Sequence, residues 1–310
     1  MKVSPKELFS LLKTSLKDFS DDECPRLAAA LSYYTVFSLP PLLILILTLV
    51  GAFMDPADVQ GALAQQIEGL MGPTGAEEVQ TMIARTERPG RGLAAVLGVG
   101  ALIFGATGAF IQLQAALNRA WEVEPDPKRG GWKNFVFKRL LSLGMVLSIA
   151  FLLLVSLAVS AALSAFSGAL GRMLPGSPGP VFQTLSFVVS FAVITLLFAC
   201  MFKVLPDARI AWRDVWVGAF VTALLFTLGK FALGMYLGRS NPGEAYGAAG
   251  SLALILVWIY YSAMILLFGA EFTQTWAMEK GGGIEPEEGA RRMADETGRQ
   301  LAAEGKGAKA

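Results

Sequence analysis

Six long apolar runs constrain this chain more than any other feature. They cover about residues 28–54, 92–113, 139–166, 181–202, 214–238 and 247–271. Each exceeds the roughly 18 apolar residues that mark a membrane helix, and at a rise of about 1.5 Å per residue each can cross a hydrocarbon layer about 30 Å thick. The rest of the sequence cannot hide them in water. Only 16% of the 310 residues are charged, 54% are hydrophobic, and the mean hydropathy is +0.53. A soluble chain of this length needs more charge to cover its surface. The expected fold is all-α: a polytopic membrane protein with six transmembrane helices.

Basic residues set the orientation. Twenty of the 26 lie before the first run, between the second and third, between the fourth and fifth, or after the sixth. Five lie in the intervening segments, and Lys230 lies within a run. Under the positive-inside rule both termini face the cytoplasm. The chain then divides into a cytoplasmic amphipathic segment 1–27, a membrane domain 28–278 and a cytoplasmic tail 279–310. The tail has few large apolar groups and is expected to be disordered or weakly helical. Ser4-Pro5-Lys6-Glu7 opens a helix whose Leu8, Leu12, Leu16 and Phe19 suit the membrane interface. Asp55-Pro56 and Thr74-Gly-Ala-Glu77 are two further helix starts, so residues 55–91 are expected to form a small external helical cap.

The first run carries Pro40 and Pro41, a candidate helix break. If the chain turned back there, residues 55–91 would share a side with the basic N-terminus. They hold three basic residues against six acidic ones, which places them on the other side, so the segment crosses. Neither proline has an N–H, and the carbonyls of Val36 and Phe37 lose their helical donors. In lipid such groups need new partners, for which Thr35, Ser38 and the Tyr33–Tyr34 pair are local candidates.

Several chemistries are excluded or disfavoured. There is no histidine, hence no imidazole-dependent triad, H-E-x-x-H zinc site or histidine relay. Cys24 and Cys200 form neither a disulfide framework nor a metal knuckle. The net charge of +1 suggests no nucleic acid partner. Asp18, Asp21, Asp22 and Glu23 read as helix-end residues more simply than as a metal site. There is no nucleotide-binding loop. No enzyme activity, cofactor or metal is expected.

Two charged positions remain. Lys230 lies about 22 Å into the fifth run, about 8 Å short of its outer edge. It reads equally as a snorkelling side chain or as a functional cation, and Lys230 with Tyr34 is the candidate substrate or lipid contact. Glu271 ends the sixth run. It reads as one half of an ion pair, with Arg119, Arg139 or Arg213 as the cation, or as a coupling-ion carboxylate. Stripes of small residues at Ala101, Gly105 and Ala109, and at Ser156, Ser160 and Ser164, suit close helix packing.

Four stretches, "AAALSYYTVFSLPPLLIL", "ALNRAWEV", "VGAFVTALLFTLGKFAL" and "YGAAGSLALILVWIYYSAMILLFGAEFT", resemble the YihY/BrkB family of bacterial inner-membrane proteins over about residues 20–278. The resemblance implies six membrane helices, cytoplasmic termini and an external segment after the first helix. It places Pro41, Asn118, Gly229-Lys230 and Gly269-Ala270-Glu271 on recurrent family positions. Some members carry a ribonuclease BN label, which this sequence opposes: it has no histidine, no two-metal carboxylate cluster and no basic nucleic-acid surface. The function expected is transport or lipid translocation in the bacterial cytoplasmic membrane. The bilayer, with an anionic lipid, is the expected partner, and oligomeric state is left open. The alternative is a non-transporting envelope scaffold. A transporter should show a polar cavity flanked by broken helices, whereas a scaffold should show a filled core.

Overall fold

The computed structural model describes residues 4–51, 61, 108–126, 179–240 and 250–293. The expected span at 139–166, most of that at 92–113, the cap 55–91 apart from residue 61, Arg139, and the tail beyond 293 lie outside the described residues. Within them the chain is mostly helical. Helix α1 is Pro5–Asp21 and α2 is Cys24–Gly51. Residues 108–120 belong to α3, followed by strand β1, Val123–Pro125. Then come α4, Gly179–Val204; β2, Ala208–Arg209; α5, Trp212–Ser240; α6, Gly250–Glu279; β3, Glu285–Pro286; and β4, Ala290–Arg292.

Each end has a local cause. Ser4 caps α1 in a full capping box: its hydroxyl accepts from the Glu7 N–H at 3.3 Å, and the Glu7 carboxylate accepts from the Ser4 N–H at 2.8 Å. Such a cap contributes about 1 kcal/mol. Glu23, at φ +53°, separates α1 from α2, and Pro25 falls in the first turn of α2, where a missing N–H costs nothing. The backbone of α2 stays helical through positions 40 and 41 as far as Gly51. The first run therefore does not turn back at its prolines. Helix α6 ends in Gly281-Gly282-Gly283. A methyl group at Gly281 would overlap the buried Asp214 carboxylate, which accepts from the Gly282 N–H at 3.2 Å, and Gly283 takes φ +78°.

Three described helices hold stretches long and apolar enough to cross a membrane: Phe187–Val204, Trp212–Leu233 and Leu252–Glu279. Their outward faces are apolar too. Along α5, Trp212, Trp216, Phe220, Leu224 and Leu228 recur every four residues, Phe231 and Met235 continue the stripe, and all seven are exposed. A stripe of that length is unsuited to water and suited to lipid.

The interior is built from small residues. Ala28, Ala116, Ala120, Ala199, Ala219, Ala223, Ala263 and Ala270 are all buried, which lets the helices approach closely. A close approach joins α5 and α6 in a reciprocal motif. Thr222 Oγ1 donates to the Gly218 carbonyl on its own helix at 2.7 Å, and Thr273 Oγ1 donates to that of Gly269 at 2.6 Å. Each threonine also fills the space beside the other helix's glycine. A methyl at Gly218 would overlap Thr273, and one at Gly269 would overlap Thr222.

At one end of the bundle the connecting segments are tied together. Strand β1 pairs antiparallel with β4, and β2 pairs antiparallel with β3. Arg291 holds Glu124 at 2.8 Å. Asp207 accepts from Asn118 Nδ2 at 2.9 Å and Gln114 Nε2 at 3.2 Å, and its own N–H donates to Asn118 Oδ1 at 2.8 Å. Residues 285–292 thus correct the expectation of a disordered or weakly helical tail. The segment lacks large apolar groups but gains order from backbone pairing and from the Glu124–Arg291 pair. Four segments that the charge pattern assigns to one side, around α1, β1, β2 and β3–β4, meet at this end.

Helix α1 joins them through Lys280 Nζ, 2.7 Å from Glu7 Oε1. The hydrogen bond from Lys280, with that from the Ser4 N–H, lowers the Glu7 pKa from 4.5 to about 2. A depressed carboxyl stabilises the folded form above its unfolded value and loses that contribution as pH falls toward the folded one. Amide exchange in the first turns of α1 should therefore accelerate as pH drops from about 5 to about 2, after correction for intrinsic rates. In Glu7→Gln it should be fast throughout. A wild-type profile that matches the variant would show that the contact does not hold α1.

Candidate functional site

Glu271, on α6, is 1% exposed. Its Oε1 accepts a hydrogen bond from the fully buried Cys24 thiol at 3.3 Å. The local sequence builds a polar ladder around it. Thr275 Oγ1 donates to the Glu271 carbonyl at 2.9 Å, and Ser15 Oγ of α1 lies 3.1 Å from Thr275 Oγ1. The expected ion pair with Arg119 is not formed. Arg119 Nε instead holds Asp22 Oδ1 at 3.1 Å, because the break after α1 delivers Asp22 to the half-exposed guanidinium while Glu271 faces the α2 terminus. Burial pushes the Asp22 carboxyl above its ordinary range, and Arg119 pulls it back. Asp22, Asp18 and Glu122 are nearby carboxylates that act on Glu271. Among the described residues, no cation lies within ion-pair distance of Glu271. Among the described residues a thiol is its only side-chain partner, and membrane chains retain buried carboxylates of this kind at functional positions.

Further along α2 and α6 lies a cavity of about 260 Å3. One face of α2 lines it with Leu31, Thr35, Ser38 and Leu39, at i, i+4, i+7 and i+8. Phe110, Phe198, Phe226 and Leu266 supply apolar walls from α3, α4, α5 and α6, and Ser262 adds a third hydroxyl. The hydroxyls of Thr35, Ser38 and Ser262 have no hydrogen-bond partner among the described residues. The α2 lining runs from Leu31 to Leu39, directly before Pro40, so the carbonyls of Val36 and Phe37 belong to the same stretch of helix.

Lys230 and Tyr34 are not brought together at this cavity. Tyr34 is exposed on the flank of α2, just past the arc that lines the cavity, its ring edge-on to Tyr33 with centroids 5.8 Å apart. Lys230 is half-buried near the far end of α5, its Nζ 5.8 Å from the Phe231 ring centroid. The neighbouring Gly229 lies against Tyr261 of α6, ten residues or about 15 Å from Glu271. Position 34 falls about 40° beyond Ser38, just past the edge of the lining arc, and its side chain is exposed there. Arg139, another of the expected partners of Glu271, lies outside the described residues. Cys24 escaped sequence reasoning because nothing local links it to a carboxylate 247 positions away. Ser262 was readable only as one small residue in an apolar run.

The family described as virulence factor BrkB matches residues 15–294. A UPF0761 membrane protein of Psychromonas ingrahamii is 30% identical over 251 residues, covering 80% of this chain and 81% of that protein. Another, from Alkalilimnicola ehrlichii, is 31% identical over 268 residues, covering 84% of this chain and 56% of its own length. A UPF0761 membrane protein of Pseudomonas aeruginosa is 30% identical over 259 residues and is 59% covered. The chain thus spans somewhat over half the length of several curated relatives. No solved structure matches it. The match over nearly the whole chain, together with the apolar spans, makes this protein a member of the virulence factor BrkB family of membrane proteins.

Proposed function

We propose that this protein translocates lipid across the bacterial cytoplasmic membrane through a six-helix membrane domain with both termini in the cytoplasm. The observation that carries the reading is the cavity between α2 and α6. Its volume approaches the range of small ligand sites, about 300–1,000 Å3. Its apolar walls suit an acyl chain, and its three hydroxyls, which have no partner among the described residues, suit the ester or head-group end of the same molecule. Pro40 and Pro41 stand beside it, where freed carbonyls add acceptors along a pathway. Glu271 is the candidate coupling carboxylate at the tied end of the bundle. Lys230, toward the other end, is the candidate contact for an anionic head group, which reaches it laterally between helices. A scaffold has no need of such a cavity.

The cavity reading is tested by filling it. Ser262→Phe should insert a ring among Phe198, Phe226 and Leu266, leave the protein in the membrane, and slow movement of a labelled anionic lipid between liposome leaflets by about tenfold. An unchanged rate would remove the cavity from the pathway. Reporter fusions test the orientation. Those after residues 75 and 175 should report the periplasm, and those after 127, 207 and 290 the cytoplasm. A cytoplasmic signal at 75 would contradict the six-span topology.

A further inference from the structure

Helix α1 carries two faces of different chemistry. At about 100° per residue, Glu7, Leu11, Ser15, Asp18 and Asp22 share the side turned to the bundle, where Leu11 and Ser15 are buried and Phe19 meets Phe268 edge-on at 6.0 Å. The adjoining arc, which Phe19 enters, is otherwise open. Leu8 is 44% exposed, Phe9 70% and Leu16 58%, and with the partly exposed Leu12 they occupy one continuous arc. The arc beside it holds Lys6, Lys13 and Lys17, all exposed. Acidic residues are absent from both arcs. The one carboxylate at their border, Asp21, pairs with Lys17 at 3.0 Å. Four apolar side chains bordered by three ammonium groups match the boundary between acyl chains and anionic head groups. The apolar side chains enter the acyl region, and the lysines extend back to the phosphates.

Location supports the same partner. Helix α1 docks on the end of α6 through Glu7–Lys280 and Ser15–Thr275. The α6 helix has 30 residues, about 45 Å, which exceeds a hydrocarbon core of about 30 Å. Its terminal turns, and α1 beside them, therefore fall at the head-group level. We propose that α1 is a membrane-surface element whose Leu8–Phe9–Leu16 stripe and Lys6, Lys13 and Lys17 gather anionic phospholipid at this end of the protein. The proposal does not depend on lipid translocation, since it concerns equilibrium contact and not movement.

The test uses the full chain in nanodiscs of mixed phosphatidylcholine and phosphatidylglycerol. A fluorophore is attached to Phe9→Cys in a Cys200→Ala background, with Cys24 shielded by burial. Either lipid carries brominated acyl chains, at equal mole fraction. Both brominated lipids should quench, and brominated phosphatidylglycerol should quench roughly twofold more strongly. Combining Lys6→Gln, Lys13→Gln and Lys17→Gln should abolish that preference while quenching by phosphatidylcholine persists. Absence of quenching by either lipid would overturn the proposal, because the stripe would then lie outside the bilayer. Equal quenching by the two in the wild-type sequence would overturn the anionic selectivity. Energy transfer between labelled copies without lipid quenching would assign the stripe to a second copy of the chain instead.

Discussion

Gly218→Ala should destabilise the protein by about 1–3 kcal/mol, seen as a lower melting temperature in detergent and a lower level in the membrane. The added methyl must occupy space filled by the Thr273 side chain. Thr273 cannot simply rotate away, because its hydroxyl is bonded to the Gly269 carbonyl at 2.6 Å. Gly269→Ala should behave alike against Thr222. The pairing is tested by Gly218→Ala combined with Thr273→Gly, which clears the overlap. The double variant should recover much of the loss, less the cost of a helical glycine, about 1 kcal/mol. Wild-type melting of Gly218→Ala alone would show that α5 and α6 are not in this contact.

Replacing Glu271 by methionine should separate stability from function. Methionine nearly matches glutamate in size and removes a desolvated carboxylate whose hydrogen-bond partner is a thiol. Exchanging buried charge for apolar volume is often neutral or stabilising, by about 1–4 kcal/mol for full ion pairs. Glu271→Met should therefore melt at or above the wild-type temperature. If Glu271 is the coupling carboxylate, the same variant should lose transport by at least about tenfold. A variant that unfolds would make Glu271 architectural. A stable variant with full activity would remove it from the mechanism.

Much of the architecture was legible because membrane physics writes it in plain composition. The apolar runs located α4, α5 and α6, and capping grammar located α1 from Ser4 and Glu7. The charge pattern grouped the four segments that meet at one end of the bundle. The reciprocal glycine–threonine contact was readable in principle from the matching G-x-x-x-T spacing at 218–222 and 269–273, although the sequence holds other four-spaced stripes of small residues that look alike. The strands at 285–292 were not legible, because their order comes from partners at 123–125 and 208–209 and not from their own side chains. The site was legible only in part. Glu271 stands out as a carboxylate in an apolar helix, but its neighbour is fixed by how α2 starts after the break at Glu23. Arg119 was a reasonable partner by side and charge, and only the placement of Asp22 diverts it. Tyr34 was a polar residue near two prolines, and its exposure follows from a helical phase that the sequence left free.

Movement of a labelled anionic phospholipid between the leaflets of liposomes holding the purified protein decides the functional reading. Wild type should move it well above the rate of protein-free liposomes. Lys230→Arg should retain much of that rate, and Lys230→Met should lose it. If liposomes with all three proteins match empty ones, lipid translocation is contradicted, and a scaffold role becomes the better description.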